Sequence, residues 1–304
     1  MSKKSAGSEA SSPEIKNIIV ISDTHFGSTV ALCPPRVRLD DGGWYVSSPM
    51  QQKIWAYWKD FWQWSFNLIG DEAFALVHNG DVVDGDHHGT TMLFSKNLKD
   101  QENLAVQVLE PIVERAACYF QIRGTEAHVG QSGSNEERVA KTLGSVVDED
   151  SGQHSRWDLC VELGGEIINF SHHIGTTTSV AYEASALMRE VASNFTEAGQ
   201  WGLRPATVLV RSHRHRYCQV QPPNCRILVT PAWQGKTGFV FKLDRMRMPQ
   251  FGGVIIRLND DGIGIHVRER IYTLSPGQPV NFDKTVNRKK QDEGSKKDSS
   301  SNHS

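Results

Sequence analysis

Five short clusters of carboxylates and imidazoles punctuate the chain. They are Asp23-Thr24-His25, Asn79-Gly80-Asp81 with Asp84 three residues on, Gly124-Thr125-Glu126-Ala127-His128, Ser171-His172-His173, and Ser212-His213-Arg214-His215. In an extended segment alternate residues point the same way, so D-x-H and H-x-H each aim two ligand atoms at one spot. Carboxylate oxygen mixed with imidazole nitrogen suits Mn, Fe or Zn, whereas an all-oxygen cage suits Ca or Mg. Gly80 and Gly85 let the backbone turn tightly around Asp81. A lone D-x-H carries little weight, but five clusters in this order, each after an apolar run, read as a metal site.

The apolar runs before the clusters are the elements that must position them. NIIVIS (17–22), AFALVH (73–78) and CYFQIR (118–123) read as buried strands. They alternate with helical periodicity over 53–69 and over NLAVQVLEPIVERAA, which Pro111 disturbs. NEERVAKTLG reads as a short helix ended at Gly144. In the second half, DLCVEL, a GGE turn and IINFSH form a hairpin signal. A helix over roughly 179–198 follows, then the strands TVLVRS, RILVT, GVIIRL and IGIHVRERIYTL. The pattern is α/β, with βαβ-like units early and antiparallel strands late. Loops at the carboxyl ends of strands in such a sheet share one edge, so the five clusters are expected to converge on one crevice.

Composition narrows the setting. The chain has 304 residues, enough for one large domain. Its formal net charge of -2 provides no overall basic field, so any polyanion site must be local. Five widely spaced cysteines without a CxxC pair indicate a reducing compartment. No apolar stretch is long enough for a signal peptide or a membrane span, which points to a soluble cytoplasmic protein with no membrane partner. Residues 1–14 and 284–304 are polar and read as disordered tails around a domain at 15–283. The second tail has six lysines and arginines against three acidic residues.

DTH, GDVVDG, a Gly-led loop, a strand-terminal His and SHRH resemble the successive motifs of the calcineurin-like metallophosphoesterases, over about residues 17–230. The resemblance implies a single-domain, four-layer α/β fold, a β-sandwich of mixed sheets flanked by helices, holding two divalent ions. Mn is expected, with Fe or Zn as alternatives. By motif match, Asp23, His25, Asp81 and His215 would hold the first metal. Asp81 would bridge to a second held also by His172 and His213, with His173 as the alternative to His172. The implied reaction is in-line hydrolysis of a phosphoester by a bridging hydroxide, with a histidine assisting the leaving oxygen.

The third motif departs from the family pattern. The family has Gly-Asn-His there, the Asn binding the second metal and the His assisting the leaving group; here Gly124 is followed by Thr, Glu, Ala and His. The expectation favoured is Glu126 as second-metal ligand and His128 as the acid. Thr125 in the Asn position, and Glu126 merely orienting His128, are the competing arrangements.

Arg211, Arg214 and Arg216 flank the H-x-H pair, followed by Lys236, Lys242, Arg245 and Arg247. They can form a basic lip for a polyanionic substrate or an ordinary solvated face. Trp55, Trp58, Trp62 and Phe66 recur at helical spacing, which favours core packing over base stacking. The Pro/Gly-rich segment 27–50 is expected to overhang the site, and Asp84 to orient or support its loop. The expected function is a two-metal phosphoesterase acting on a phosphodiester, with nucleic acid as a candidate. A phosphomonoesterase or pyrophosphatase is the alternative enzyme, and a metal-binding scaffold without catalysis the alternative of another class. A metal-dependent amidohydrolase fits less well, because that arrangement opens with H-x-H and here D-x-H comes first.

Overall fold

The computed structural model of the chain describes residues 13–87, 89–176, 179–243 and 248–274. His88, Arg245, Arg247 and the 284–304 tail lie outside the described residues, as does all but the end of the 1–14 tail. The chain up to Thr273 forms one compact unit.

Chain order runs β1 (Asn17–Ile21), β2 (Arg36–Arg38), β3 (Trp44–Val46), α1 (Pro49–Ile69), β4 (Phe74–Asn79), α2 (Leu98–Val113), β5 (Cys118–Ile122), α3 (Glu126–Val129) and α4 (Ser134–Thr142). It continues with β6 (Ser155–Arg156), β7 (Asp158–Leu163), β8 (Glu166–Ser171), α5 (Glu183–Trp201), β9 (Val208–Arg211), β10 (Cys218–Val220), β11 (Arg226–Val229), α6 (Gly238–Leu243), β12 (Gln250–Leu258) and β13 (Ile265–Thr273).

Two mixed sheets result. The first has six strands in the order β13-β12-β1-β4-β5-β6, and the second five in the order β10-β11-β9-β8-β7. Within the first, β1, β4, β5 and β6 are parallel. Within the second, β8, β9 and β11 are parallel. The two runs of parallel strands carry the five clusters at their carboxyl ends.

Apolar residues on the facing sides make the sandwich. Ile18, Val20, Ala75, Val77 and Ile122 of the first sheet pack with Leu159, Ile168, Phe170, Val208, Val210 and Leu228 of the second in one buried cluster. Burial on both faces is why these strands read as continuous apolar runs rather than alternating ones. On the outer face of the second sheet, Ala186, Leu187 and Val191 of α5 pack on Leu209, Ile227 and Val229.

On the outer side of the first sheet, α1 presses Phe61 against Gly253, where a Cβ would stand 2.6 Å from the ring. The helix starts at a reciprocal cap, with Ser48 Oγ accepting from Gln51 N and Gln51 Oε1 accepting from Ser48 N. Trp58, Phe61 and Trp62 are buried in it, so the aromatic stripe is core, with Trp58 edge-on to Trp233 at 4.9 Å. The 27–50 segment, expected to be a loop, contains the short hairpin β2–β3. Gln51 fastens this region by donating to the carbonyl of Ser28.

Candidate metal centre

The strand ends are joined beneath the site by hydroxyls. Ser22 after β1 and Ser212 after β9 both reach Thr230 Oγ1 at 2.7 Å, and Asn79 Nδ2 at the end of β4 donates to Ser212 Oγ at 2.7 Å. This buried network ties the two sheets at their carboxyl edge and fixes where the loops above it begin.

Those loops bend unusually. Seven described non-glycine residues have positive φ, and five of them are candidate ligands: Asp23 (51°), His25 (43°), Asp81 (56°), His213 (73°) and His215 (56°). Each such conformation costs on the order of 1 to 3 kcal/mol, and such residues gather at functional sites. Two glycines open the space required. A Cβ on Gly80 would stand 2.3 Å from His172 Nδ1, and one on Gly124 would stand 2.1 Å from Asp81 Oδ1.

Three groups of side chains offer ligand atoms close enough to share an ion: Asp23, His25 and His215; Asp81, His172 and His213; and His25, Asp84 and His128. In the first, His215 Nε2 lies 3.3 Å from Asp23 Oδ1 and 3.3 Å from His25 Nε2. In the second, His172 Nε2 lies 3.1 Å from Asp81 Oδ2. The same Oδ2 is 3.8 Å from His25 Nε2, so Asp81 faces both groups. Atoms bound at the usual 2.0–2.2 Å to one ion stand about 3.0 to 3.5 Å apart. The His215–Asp23, His215–His25 and His172–Asp81 spacings fall in that range, while His25 Nε2 stands slightly farther, at 3.9 Å from Asp23 Oδ1 and 3.8 Å from Asp81 Oδ2.

The residues present fit a cation. Asp23 Oδ1 is fully buried with no hydrogen-bond partner among the described residues, and the His25 and His215 Nε2 atoms face each other at 3.3 Å. A nitrogen and oxygen donor set of this kind suits Mn, Fe or Zn.

Outer partners set which nitrogen faces inward. His172 Nδ1 donates to the carbonyl of Asn79 at 2.7 Å, and His25 Nδ1 to Asp84 Oδ1 at 3.0 Å, leaving both Nε2 atoms for the centre. Asp84 is held in turn by Gln234 Nε2 at 2.9 Å. Asp84 therefore orients His25, a candidate ligand, as well as supporting its loop. His173 is exposed and stands outside the three groups.

The third motif departs from expectation. Its backbone does not stay extended after Gly124 but turns into the four-residue helix α3, which swings Glu126 outward. Glu126 is exposed and lines a surface cleft with Gly130, Ser132, Gly133 and Trp157, outside every ligand group. Thr125 faces the second group instead. Its N–H donates to Asp81 Oδ1 at 2.7 Å, and its Oγ1 lies 3.2 Å from His213 Nδ1 and 3.5 Å from His172 Nε2. His128 does reach the site: its Nδ1 donates to the carbonyl of Asp84 at 2.6 Å and its ring is edge-on to His25 at 4.5 Å.

Burial and charge act in opposite directions on these groups. Burial alone would raise Asp23 and Asp81, but His172 and its neighbours outweigh it and hold both carboxyls below their ordinary value. Burial alone would lower His172, yet Asp81 and Asp23 lift it to about 10. Burial prevails at His128 and His213, each brought down to about 4. His128 is therefore neutral near pH 7, with its proton fixed on Nδ1.

One supporting residue escaped the sequence reading. Glu136 on α4 is fully buried, accepting from Val82 N at 3.0 Å and from Gly124 N at 2.7 Å. It thereby clamps together the loops that carry Asp81 and Thr125. Burial, then Asp81, raises its carboxyl to about 8. Its position two residues inside a helix gave no signal, because its partners lie 54 and 12 residues away.

The arginines are largely committed elsewhere. Arg211 is buried and bonds Asn169 Oδ1 at 2.8 Å and Glu190 Oε2 at 3.3 Å. Arg214 donates to the carbonyls of Gly175 and Glu183. Arg216 has Glu183 at 4.0 Å and keeps partial exposure. Both Arg211 and Arg214 thus have partners within the fold, Arg211 on Asn169 and Glu190 and Arg214 on two carbonyls.

No family model matches the sequence, and no curated protein matches it significantly. Solved structures do. An archaeal phosphodiesterase is 12% identical, over 85% of this chain and 99% of its own, with a TM-score of 0.40. Vps29 from Chaetomium thermophilum is 14% identical, over 88% and 99%, with a TM-score of 0.39. A Streptococcus pneumoniae protein described as a predicted phosphoesterase is 13% identical, over 84% and 98%, with a TM-score of 0.33. Similarity at this level carries no functional information, so the chemistry rests on the ligand geometry. Among the described residues no helix is long and apolar enough to cross a membrane.

Proposed function

We propose that this protein is a metal-dependent phosphoester hydrolase. The observation that supports it most is Asp81 Oδ2, which stands 3.8 Å from His25 Nε2 and 3.1 Å from His172 Nε2 and so joins two ligand groups through one carboxylate. Asp23, His25, Asp81 and His215 would hold one ion, and Asp81, His172 and His213, with Thr125 in place of Glu126, a second. Two bound divalent ions supply Lewis acidity and an activated water for in-line attack at phosphorus.

The rest follows from the chain's own groups. Asn79 and Asp84 keep His172 and His25 in the tautomer that offers Nε2, and Glu136 keeps the Asp81 and Thr125 loops in register. His128 has its Nδ1 proton fixed on the Asp84 carbonyl, so Nε2 is the atom that exchanges a proton with the leaving oxygen. An anionic phosphoester beside Nε2 favours the protonated imidazole, opposing the burial that keeps it neutral without substrate.

Extension to nucleic acid loses its support with Arg211 and Arg214 committed to the fold. A second reading, a metal-binding scaffold without turnover, is favoured by one observation, a threonine hydroxyl where the family has a stronger amide ligand. The distinguishing experiment supplements the purified chain with Mn, Fe or Zn and offers a phosphodiester, a phosphomonoester, and single- and double-stranded DNA and RNA. Metal-dependent hydrolysis of any of them supports the enzyme; bound metal with no hydrolysis supports the scaffold.

A further inference from the structure

Lys236 is 8% exposed, and its Nζ is buried without a hydrogen-bond partner among the described residues. A buried ammonium needs either a counter-ion or several acceptors, and leaving it without them is costly. What it has is the face of Phe241, with Nζ 4.8 Å from the ring centroid, a contact that satisfies none of its three N–H donors.

The chain leading to Lys236 is tied to the metal centre. Trp233 N donates to the carbonyl of Asp23 at 2.9 Å. Gln234 pairs with Ala31 in a β-bridge and extends its side chain to Asp84. Lys236 follows two residues after Gln234, and two residues span at most about 7 Å, which keeps its backbone near the segment that reaches Asp84. Gly235 keeps the segment close to the first-motif loop: its N–H donates to the carbonyl of Val30 at 2.8 Å, and a Cβ there would meet the same oxygen at 3.0 Å.

We propose that Lys236 is a substrate-recognition residue, a buried cation kept without an anion so that a phosphoester oxygen can become its counter-ion at the edge of the metal centre. The proposal rests on the phosphoesterase reading for the identity of the anion. Lysine suits the role as a compact point charge with three rotatable donors. Phe241, 52% exposed, covers the ammonium from the solvent side.

The test uses the full-length chain loaded with Mn and titrates inorganic phosphate by calorimetry, comparing wild type with Lys236→Gln, Lys236→Met and Lys236→Arg. A hydrogen bond to a charged group corresponds to roughly 10- to 100-fold in affinity. Phosphate affinity is expected to fall by that factor in Lys236→Gln and Lys236→Met, with metal content unchanged, and to recover in part in Lys236→Arg. In turnover of a small phosphodiester, KM should rise about tenfold while kcat stays within about threefold. Without phosphate, Lys236→Met should melt at or above the wild-type temperature, because it removes an unpaired buried charge. Unchanged phosphate affinity, no phosphate binding by wild type, or a Lys236→Met protein that melts well below wild type would each overturn the proposal. Lys236-dependent phosphate binding without hydrolysis of any phosphoester would sustain it and reject the hydrolase reading instead.

Discussion

The N–H of Thr125 donates to Oδ1 of Asp81 at 2.7 Å and its hydroxyl to Oδ2 at 3.3 Å, the oxygen that also faces His25 and His172. One side chain thus receives its orientation from the third motif while serving both ligand groups. The unusual GTEAH segment acts first through its backbone.

Thr125 and Glu126 therefore separate cleanly by mutation. Glu126→Ala should leave metal content and turnover within about twofold of wild type, as for surface substitutions in general. Thr125→Asn, which places an amide oxygen where the hydroxyl is, should tighten the second metal. Elemental analysis after dialysis against graded chelator reads both. Loss of a metal in Glu126→Ala would return the ligand role to Glu126.

Glu136→Ala leaves the buried N–H groups of Val82 and Gly124 without acceptors. At about 1 to 3 kcal/mol for each unsatisfied buried group, the variant should lose roughly 2 to 6 kcal/mol of stability. Glu136→Gln keeps one oxygen but turns an NH2 toward an N–H donor, so it should fall between. Urea unfolding in excess chelator measures the loss without the contribution of bound metal.

Stability of the metal-free chain should depend on pH with a definite sign. His172 is raised from 6.5 to about 10 and Glu136 from 4.5 to about 8. Between the unfolded and folded values the native state binds more protons, so stability is full below the unfolded values and falls as pH rises through the folded ones. Asp23 and Asp81, both held below 3.8, act oppositely: their contribution is present above 3.8 and is lost on acidification. In chelator, the melting temperature should peak at mildly acidic pH and drop toward pH 9. Bound metal displaces the same protons, so the alkaline drop should shrink in Mn, and metal uptake at pH 7 should release protons.

Asp84→Asn tests ligand orientation. It keeps the size of the side chain but weakens the acceptor for His25 Nδ1, and losses of this kind typically cost about 10- to 100-fold in metal affinity or activity. His128→Ala should instead retain both metals and lose about 10²- to 10⁴-fold in kcat, the range for a proton-transfer group. If His128→Ala lost a metal, the residue would belong to the His25–Asp84–His128 group as a ligand.

Much of this centre was legible in the sequence because its ligands follow strands. An apolar run ending in D-x-H or H-x-H marks a strand and the loop that follows it, which makes Asp23, His25, Asp81, His213 and His215 candidates in the sequence, but all five take positive φ, so the loops and not strand alternation aim their side chains. The core reading of Trp58 and Trp62 held for a similar reason, since periodicity reports the buried face of a helix. At Thr125 the chain enters a short helix that no local pattern announces, which carries Glu126 to the surface and leaves Thr125 facing His213. Arg211 misled because Glu190 and Asn169, which hold it, are 21 and 42 residues away, a distance at which local pattern is silent. Glu136 was missed on the same grounds.

The central claim is that Asp81 joins two metal sites into one hydrolytic centre, and it is tested most directly by counting metals per chain alongside turnover. Wild type loaded with Mn and freed of excess ion should hold about two ions per chain and hydrolyse a phosphodiester. Asp81→Asn should hold at most one and lose hydrolysis. Two tightly held ions in Asp81→Asn with hydrolysis intact, or a wild type that binds a single ion at saturation, would contradict the account.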